Sequence, residues 1–327
     1  MRGALTVRRE LAAVLLVVAF ASAGCAPALE DLKPSLSATD SGTVWFATAG
    51  SLVRTADGSR FVLGGPVVIS GDLRFPSGTG PFPAIVLAHG CSGVGNIETA
   101  WARPLRGWGY ATFVIDSFNP RNLTEVCTNA RTLTGTQRIP DAYGALRIIS
   151  THPRIDARRV ALMGFSHGGI LTMGASTVWA RETFAPAGQP AFRAFVAFYP
   201  SCNVGYPERE RISAPLRIHT GELDNWTPAG PCVHVAEILK ASGQDATITV
   251  YPEAHHAFDS IGLPFVHRPN VDSGAACSLE MKSILGPFPS AREAEGCLRK
   301  GATIAWNPKA AFEARRNVRS QLAGLLE

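Results

Sequence analysis

The chain has 327 residues, of which 46% are hydrophobic and 17% are charged, and its formal net charge at pH 7 is +5. Its small positive charge is not clustered, which argues against a protein that binds nucleic acid. No internal repeat or low-complexity tract interrupts it. At this length and apolar content, one domain with a large core is expected.

The first 25 residues have the pattern of an export signal. Three arginines precede the apolar run at 11–20, which is too short for a comfortable transmembrane helix. The stretch 22–25 (S-A-G-C) resembles a bacterial lipoprotein box, in which Cys25 would be lipidated. We therefore expect a bacterial exported protein, either periplasmic or tethered to a membrane through Cys25. Ordinary signal cleavage after Ala23 or Ala28 is the alternative.

Residues 26–40 are predicted to be a linker and residues 41–327 a single domain, in which apolar runs alternate with helical stretches. The strand candidates are 83–88, 111–115, 160–164, 192–199, 215–221 and 246–251, and the helix candidates are 139–151, 167–180, 229–241 and 308–326. Strands separated by helices predict a mostly parallel sheet with helices on both faces. Residues 66–75 are expected to pair antiparallel at one edge through short hairpin connections, and 259–307 to form a long ordered excursion.

The segment 160–169 (V-A-L-M-G-F-S-H-G-G) is an apolar run that ends in G-x-S-x-G. If residues 160–164 form a buried strand, Ser166 lies at the sharp turn into the next helix and its hydroxyl points outward. Gly164 and Gly168 suit this turn because it brings the backbone so close to its neighbours that a Cβ would collide. Ser166 is therefore the candidate nucleophile.

A serine nucleophile needs a base to take its proton and an acid to orient that base. The loop after the strand candidate 215–221 carries Glu222 and Asp224. We take Asp224 as the acid, with Glu222 as the alternative. The loop after the last strand candidate carries His255 and His256, one of which is the expected base.

A metal site is the other interpretation of these two histidines. Together with Asp259 or His267 they could bind a metal ion, but no H-x-E-x-x-H or paired-cysteine spacing accompanies them. We therefore expect neither a metal nor a cofactor.

Three further residues lie close to the motifs. His89 is a candidate for the substrate pocket, although its position before Gly90 is more typical of a loop-shaping residue with a hydrogen-bonded ring. Trp226 either walls the pocket or packs its own loop. Asp116 follows a strand candidate, where such a residue more often closes the strand end than enters a pocket.

Of the seven cysteines, all but Cys25 lie beyond the signal region, and an even number in an oxidising compartment predicts disulfides. Cys202 follows the strand before the acid and Cys232 follows the acid loop, so adjacent strand ends can bring them together. We predict the pairs Cys91–Cys127, Cys202–Cys232 and Cys277–Cys297. The alternative is that several are buried free thiols, with Cys91 a reactive one beside Ser166.

Five motifs follow one another along the chain. They are L-A-H-G-C-S-G at 87–93, V-I-D-S-F-N-P-R at 114–121, G-F-S-H-G-G at 164–169, G-E-L-D-N-W-T-P at 221–228 and Y-P-E-A-H-H-A-F at 251–258. Together they resemble the dienelactone hydrolase family of α/β-hydrolases, over about residues 82 to 258. Motifs in the right order are more specific than any one of them, and serine, acid, histidine is the α/β-hydrolase order.

The resemblance implies an α/β-hydrolase fold with a mostly parallel, doubly wound sheet. It implies Asp224 as the acid and His256 as the base, since in the family the catalytic histidine directly precedes a small residue and Phe. The founding members carry a cysteine where this chain has Ser166. The resemblance therefore implies ester cleavage in general rather than one particular lactone.

In this fold two backbone N–H groups stabilise the negative charge of the tetrahedral intermediate. One belongs to the residue after the nucleophile, here His167, at the N-terminus of a helix. The other belongs to the loop after the strand candidate 83–88, where Cys91 is the expected donor.

We expect a serine hydrolase that cleaves small-molecule esters or lactones through an acyl-enzyme. An amide or peptide hydrolase is the alternative among enzymes, because the same triad serves both reactions. A surface lipoprotein that binds a ligand on an inactive hydrolase scaffold is the non-enzymatic alternative. Pocket walls are expected from loops near 91–99, 117–136 and 200–212, and the sequence leaves the oligomeric state open.

Overall fold

The computed structural model describes residues 26–327. The predicted export signal and its lipidation site Cys25 lie outside the described residues. Between residues 26 and 327, no helix combines the length and the apolar character that crossing a membrane requires.

Residues 26–327 form fourteen strands and seven α-helices. The strands are β1 (Gly42–Ala47), β2 (Ser51–Arg54), β3 (Phe61–Gly64), β4 (Val68–Arg74), β5 (Phe82–Ala88), β6 (Ala111–Asp116), β7 (Ile155–Phe165), β8 (Ala194–Phe198), β9 (Val204–Gly205), β10 (Leu216–Gly221), β11 (Ala246–Tyr251), β12 (Val266–Ser273), β13 (Leu279–Glu280) and β14 (Arg299–Ile304). The helices are α1 (Asn96–Gly107), α2 (Ile139–Ile149), α3 (His167–Ala175), α4 (Val178–Phe184), α5 (Ala229–Ala241), α6 (Ala291–Cys297) and α7 (Pro308–Leu326).

Eight strands form one sheet in the order β1-β4-β6-β5-β7-β8-β10-β11. The six strands from β6 to β11 in this order pair in parallel. Only β1 with β4 and β4 with β6 are antiparallel. The sheet confirms the predicted α/β-hydrolase fold, because parallel neighbours require crossover connections and helices supply them.

Side chains of the central strands alternate between two apolar layers. In β5, Val86 and Ala88 face the layer that contains α2, α3, α4 and α5, whereas Ile85 and Leu87 face the layer with α1 and α7. All four side chains are fully buried. Because helices cover both faces of the sheet, functional polar side chains are expected in the loops at the strand ends, where ligands of such sheets bind.

The segment 167–180, predicted as one helix, is two helices. Thr177 has an extended backbone, with φ −68° and ψ 149°, and this ends the run of helical residues after α3. Its Oγ1 accepts a hydrogen bond from the amide of Ala180, which caps the new helix α4.

Residues 66–75 pair antiparallel as predicted, but β4 is second from the edge. The edge strand is β1, which the sequence analysis did not identify, and it pairs with β4 over its whole length. The connection between them is not a short turn, because it contains the hairpin of β2 and β3.

The segment 26–40, predicted as a linker, is partly packed on the domain. Leu36 is buried, and its amide donates to Thr151 Oγ1 over 2.9 Å. His152 Nε2 lies 3.0 Å from the carbonyl oxygen of Asp40.

The excursion at 259–307 is ordered and contains small β elements. β12 pairs antiparallel with β14, and β13 pairs parallel with β9. An isolated bridge between His256 and Ile304 joins this excursion to the loop that carries the predicted base.

Candidate active site

The candidate nucleophile lies at a sharp turn between β7 and α3. Ser166 has φ 53° and ψ −111°, a left-handed conformation that is uncommon for a residue with a side chain. Its amide donates to the carbonyl oxygen of Phe198 over 2.9 Å, and its carbonyl oxygen accepts from the amide of Ile170 over 2.9 Å. These bonds hold the strained turn in place, as is typical of functional sites.

Two glycines make this turn possible. A Cβ on Gly164 would collide with the carbonyl oxygen of Gly168, and a Cβ on Gly168 would collide with that of Ala88. Both positions are therefore glycine because the backbone approaches its neighbours closely there, as the sequence predicted.

The three predicted triad side chains form one hydrogen-bonded chain. His256 Nε2 lies 2.9 Å from Ser166 Oγ, and His256 Nδ1 lies 2.8 Å from Asp224 Oδ2. They follow β7, β10 and β11, whose carboxyl ends meet at one edge of the sheet. A carboxylate only accepts, so Nδ1–H donates to Asp224 and the lone pair of Nε2 faces the serine hydroxyl.

Asp224 is held by its own loop. Its Oδ1 accepts from the amides of Trp226 and Thr227 over 2.9 and 2.8 Å. The hydroxyl of Thr227 lies 2.9 Å from Asp224 Oδ2 and 3.0 Å from His256 Nδ1. Glu222, the alternative acid, is exposed and accepts from the amide of Glu253 instead.

Thr227 is a residue that the sequence analysis missed. Its signal was the spacing Asp-x-x-Thr, which is typical of a turn in which short polar side chains bond the backbone.

The two histidines of the last loop have different surroundings. The ring of His256 packs against Tyr199 and Trp226, with centroid distances of 4.6 and 4.8 Å. His255 instead places Nδ1 3.2 Å from the carbonyl oxygen of Leu223 and its ring against Phe265. Across residues 26–327, no group of three His, Cys, Asp or Glu side chains is arranged to bind a metal ion.

The loop that follows β5 lies beside the nucleophile. A Cβ built on Gly90 would be 3.7 Å from Ser166 Cβ, so Cys91 is also near the serine. Among the described residues, no acceptor bonds the amides of Cys91 or His167. Both predicted donors are therefore available to a ligand.

His89 has no exposed surface, so it shapes this loop and presents nothing to a pocket. Its Nδ1 lies 2.7 Å from the carbonyl oxygen of Gly90, and its Nε2 accepts from the amide of Ser117 over 3.2 Å. Burial, followed by the charge of Arg138, holds the pKa of His89 well below its ordinary value. Asp116 closes its strand end by accepting from two backbone amides of the next turn.

Arg138 is a second residue that the sequence analysis missed. It is fully buried, and its Nη1 contacts both the carbonyl oxygen of His89 and the ring of His167. The available signal was its position at the start of α2, since a cation there opposes the helix dipole.

All three predicted disulfides are present: Cys91–Cys127, Cys202–Cys232 and Cys277–Cys297. The first rules out a reactive thiol at Cys91 and ties the loop beside Ser166 to the segment after β6. Three disulfides are typical of a protein that folds in an oxidising compartment.

A cavity of about 450 Å³ borders the Cys91–Cys127 disulfide at Cys127. Its lining includes Ser92, Glu125, Cys127 and residues 268–271. The first two predicted wall loops contribute to it, whereas the loop at 200–212 does not. The wall from β12 was not predicted, because nothing in the sequence shows that β12 packs against this region.

Trp226 connects this cavity with the triad. It packs on the ring of His256, contacts the apolar cluster formed by Cys127, Val271 and Ala302, and donates from Nε1 to the carbonyl oxygen of Asp272 over 2.8 Å. It therefore lies between His256 and the cavity wall.

Comparisons with known proteins identify the family of this chain. The model of the dienelactone hydrolase family matches residues 69–272. A Bradyrhizobium protein named "Probable 2-oxo-3-(5-oxofuran-2-ylidene)propanoate lactonase" is 23% identical over 204 residues, which cover 57% of this chain and 77% of that protein. A Yersinia pestis protein, provisionally named a carboxymethylenebutenolidase, is 27% identical over 214 residues, covering 60% and 76%.

Among solved structures, the dienelactone hydrolase-like promiscuous phosphotriesterase P91 from metagenomic libraries is similar with a TM-score of 0.55 and 16% identity. The match covers 88% of this chain and all of P91 (100%). At this identity the likeness concerns the fold. With the family model matching well over half of its length, this chain belongs to the dienelactone hydrolase family and is a hydrolase that acts on ester bonds.

Proposed function

We propose that this protein is a serine hydrolase that cleaves small-molecule carboxylic esters or lactones through an acyl-enzyme. The observation that carries the proposal is the hydrogen-bonded chain from Ser166 through His256 to Asp224. In this arrangement the serine hydroxyl has a base within reach, and the base has an acid that fixes its tautomer.

In the first half of the proposed reaction, Ser166 Oγ attacks the ester carbonyl carbon and its proton passes to His256 Nε2. The carbonyl oxygen becomes negatively charged and accepts from the amides of Cys91 and His167. The intermediate then collapses and His256 gives its proton to the leaving alkoxide; the alcohol departs from an open ester and stays attached to the acyl group when the substrate is a lactone. Ser166 is left as an acyl ester.

In the second half, water takes the place of the alcohol. His256 accepts a proton from the water as the oxygen attacks the acyl carbon, and returns it to Ser166 Oγ when the acid is released. Asp224 orients the imidazole and stabilises its protonated form in both halves. Over the whole cycle the enzyme neither gains nor loses a proton.

The cavity that borders Cys127, which Trp226 joins to the ring of His256, is the proposed site for a non-reacting part of the substrate. Its volume of about 450 Å³ lies in the range of small-molecule sites. This size supports a small ester or lactone rather than a macromolecule.

The test is Ser166→Ala, assayed on a p-nitrophenyl ester, with fluorophosphonate labelling followed by peptide mass spectrometry. We expect the wild type to hydrolyse the ester and to be labelled at Ser166, and the variant to lose both properties. The matched control is Ser242→Ala, which removes an exposed hydroxyl at the end of α5. This hydroxyl donates to the carbonyl oxygens of Ile238 and Leu239 and accepts from Gln244 Nε2. The control variant should behave as the wild type.

A Ser166→Ala protein that hydrolyses the ester at near wild-type rate would contradict the proposed nucleophile. A wild type that takes no label would instead indicate a scaffold that binds without catalysis. A panel of short-chain, long-chain, aromatic and lactone esters, with a matching anilide, then separates ester from amide cleavage.

We also propose that the protein is exported through residues 1–25 and anchored by a lipid on Cys25. The three disulfides support export. In cell fractionation, the wild type should appear in the membrane fraction and Cys25→Ala should not. Equal distribution of the two proteins would argue against the lipid anchor.

A further inference from the structure

Arg138 is a buried cation that has no carboxylate partner. Its side chain has no exposed surface. Among the described residues it makes no ion pair, and its Nε and Nη2 atoms have no hydrogen-bond partner. Burying an unpaired charge is unfavourable, so a buried cation without an ion pair is a candidate for a role in function.

The carboxylates nearest to Arg138 are engaged elsewhere. Asp141 forms a two-point ion pair with Arg121, with N–O distances of 2.7 and 2.9 Å. Asp116 accepts from the turn after β6, and Glu98 accepts from the amide of Gly95 over 2.7 Å. Within residues 26–327 the Arg138 guanidinium therefore has no carboxylate in contact, and its remaining close partner is the ring of Phe118, whose centroid lies 5.1 Å from Cζ.

The one engaged nitrogen of Arg138 bonds to both sides of the nucleophile. Nη1 lies 2.9 Å from the carbonyl oxygen of His89 and 2.8 Å from Nδ1 of His167. His89 is two residues before Cys91, and His167 directly follows Ser166. These are the two segments whose amides form the proposed oxyanion hole.

Arg138 also determines the tautomer of His167. A guanidinium only donates, so Nδ1 of His167 must accept and Nε2–H must donate. The acceptor for Nε2–H is the carbonyl oxygen of Leu133, at 2.9 Å. Burial, and then the charge of Arg138, lower the pKa of His167 to about 3, so the ring is neutral at working pH. The ring of His167 is thus fixed at both nitrogens.

We propose that Arg138 is a positioning residue of the oxyanion hole: it holds the segments of Cys91 and His167 in register, and its charge, which no carboxylate pairs, favours the negative oxygen of the tetrahedral intermediate. This rests on the proposed serine-hydrolase function. The contact is made through His89 and His167 and not with the substrate itself. Within the described part of the chain, Arg138 has no negatively charged partner in the resting protein. A negative charge nearby develops only in the transition state, which a preorganised positive charge stabilises.

The test compares Arg138→Met and Arg138→Lys with the wild type on one p-nitrophenyl ester. Removing a whole oxyanion donor lowers kcat by about 10²- to 10³-fold, so for the indirect Arg138→Met we expect a loss of about 10- to 100-fold, with KM within about twofold. Arg138→Lys keeps the charge and should recover part of the loss. A trifluoromethyl ketone, which forms a tetrahedral adduct with Ser166, should lose affinity for Arg138→Met in parallel with kcat.

The matched control is Arg147→Met. Arg147 is also on α2 and donates to two backbone carbonyls, those of Ala47 and Thr48, but it lies on the β1 side of the sheet. Its kcat should stay within about twofold of the wild type. Rates are divided by the number of active sites that fluorophosphonate titrates, so that loss of folded protein does not count as loss of catalysis.

A kcat for Arg138→Met within about twofold of the wild type, or a loss of kcat without loss of ketone affinity, would overturn the proposal. If Arg138→Met does not fold, Arg138→Lys decides, because the lysine side chain lacks the length and the rigid planar geometry of the guanidinium, and the variant should show a lowered kcat at unchanged KM. A wild type that neither hydrolyses esters nor takes the label overturns the proposed function first, and this outcome is distinct from a defect confined to the Arg138 variants.

Discussion

Asp224 Oδ2 lies 2.8 Å from His256 Nδ1, although the two residues are 32 positions apart in the chain. The contact arises because β10 and β11 are parallel neighbours, with Gly221 paired to Tyr251. Each strand therefore delivers its following loop to the same place. Glu222, two residues before Asp224, is directed to the backbone of Glu253 and not to the imidazole.

This contact predicts different effects for the two acidic residues. Asp224→Asn should lower kcat by about 10³- to 10⁴-fold, because the amide supports the wrong imidazole tautomer. Glu222→Gln is the matched control and should retain nearly full activity. Ester hydrolysis by the two purified variants tests this, and an inactive Glu222→Gln beside an active Asp224→Asn would reverse the assignment.

The disulfides are predicted to differ in their effect on catalysis. Replacing both Cys91 and Cys127 by Ser frees the loop that carries a proposed oxyanion donor, so we expect lower stability, by about 2 to 4 kcal/mol, and a lower kcat. Replacing Cys277 and Cys297 should destabilise by a similar or smaller amount, since it opens a shorter loop, of 20 residues instead of 36.

The Cys277–Cys297 variant should also leave kcat unchanged at a temperature where both proteins are folded. The measurements are thermal unfolding and kcat per titrated site. Equal kcat losses in the two double variants would show that the Cys91–Cys127 bond has no particular role at the site.

The turn at the nucleophile predicts a strong difference between two glycines. Gly168→Ala should prevent folding or destabilise by more than about 3 kcal/mol, because its Cβ would overlap the carbonyl oxygen of Ala88, which belongs to a rigid strand. Gly230→Ala in α5 meets nothing within 4 Å and should be neutral or stabilising by up to about 1 kcal/mol. Soluble yield and urea unfolding measure both, and a well-folded Gly168→Ala protein would contradict the close approach.

His219 predicts a loss of stability in acid. It is stacked on Phe198 and hydrogen-bonded to Tyr251 and Gln321, and burial lowers its pKa from 6.5 to about 4. Below about pH 6.5, His219 becomes protonated in the unfolded chain, whereas in the folded protein it stays neutral down to about pH 4. The free energy of unfolding therefore falls through this range, by about 2 to 3 kcal/mol at pH 4.5 for this one group.

The measurement is urea unfolding of the wild type and of His219→Gln at pH 7 and pH 4.5. The variant should lose about 2 to 3 kcal/mol less than the wild type between the two values. Buried Glu98 and Asp259, whose pKa values burial raises, act in the opposite direction but are common to both proteins. Identical losses in the two proteins would mean that His219 is not the responsible group.

Local features of the chain were sufficient to predict much of the site. The apolar run into Gly164, Ser166 and Gly168 specified a strand and a tight turn, because each requirement acts over only a few residues. The strand at 246–251 was predicted at its observed bounds for the same reason, since alternating β-branched residues signal a strand wherever they occur. Helices α5 and α7 also have their predicted bounds.

Features that depend on distant neighbours were decided only by the tertiary structure. The edge strand β1 and the packing of β12 against the cavity each depend on partners many residues away. Arg138 is the clearest case, because its proposed role depends on its contacts with His89 and His167 and not on its neighbours in the sequence.

The chain by itself determined which residue types follow which strands, and thereby the identity and order of Ser166, Asp224 and His256. Only the fold decided that Glu222 turns away, that His89 is sealed, and that a buried arginine joins the two segments of the proposed oxyanion hole. The physical reason is range: turn geometry and strand propensity act between near neighbours, whereas burial, hydrogen-bond partners and electrostatic fields depend on how the whole chain packs.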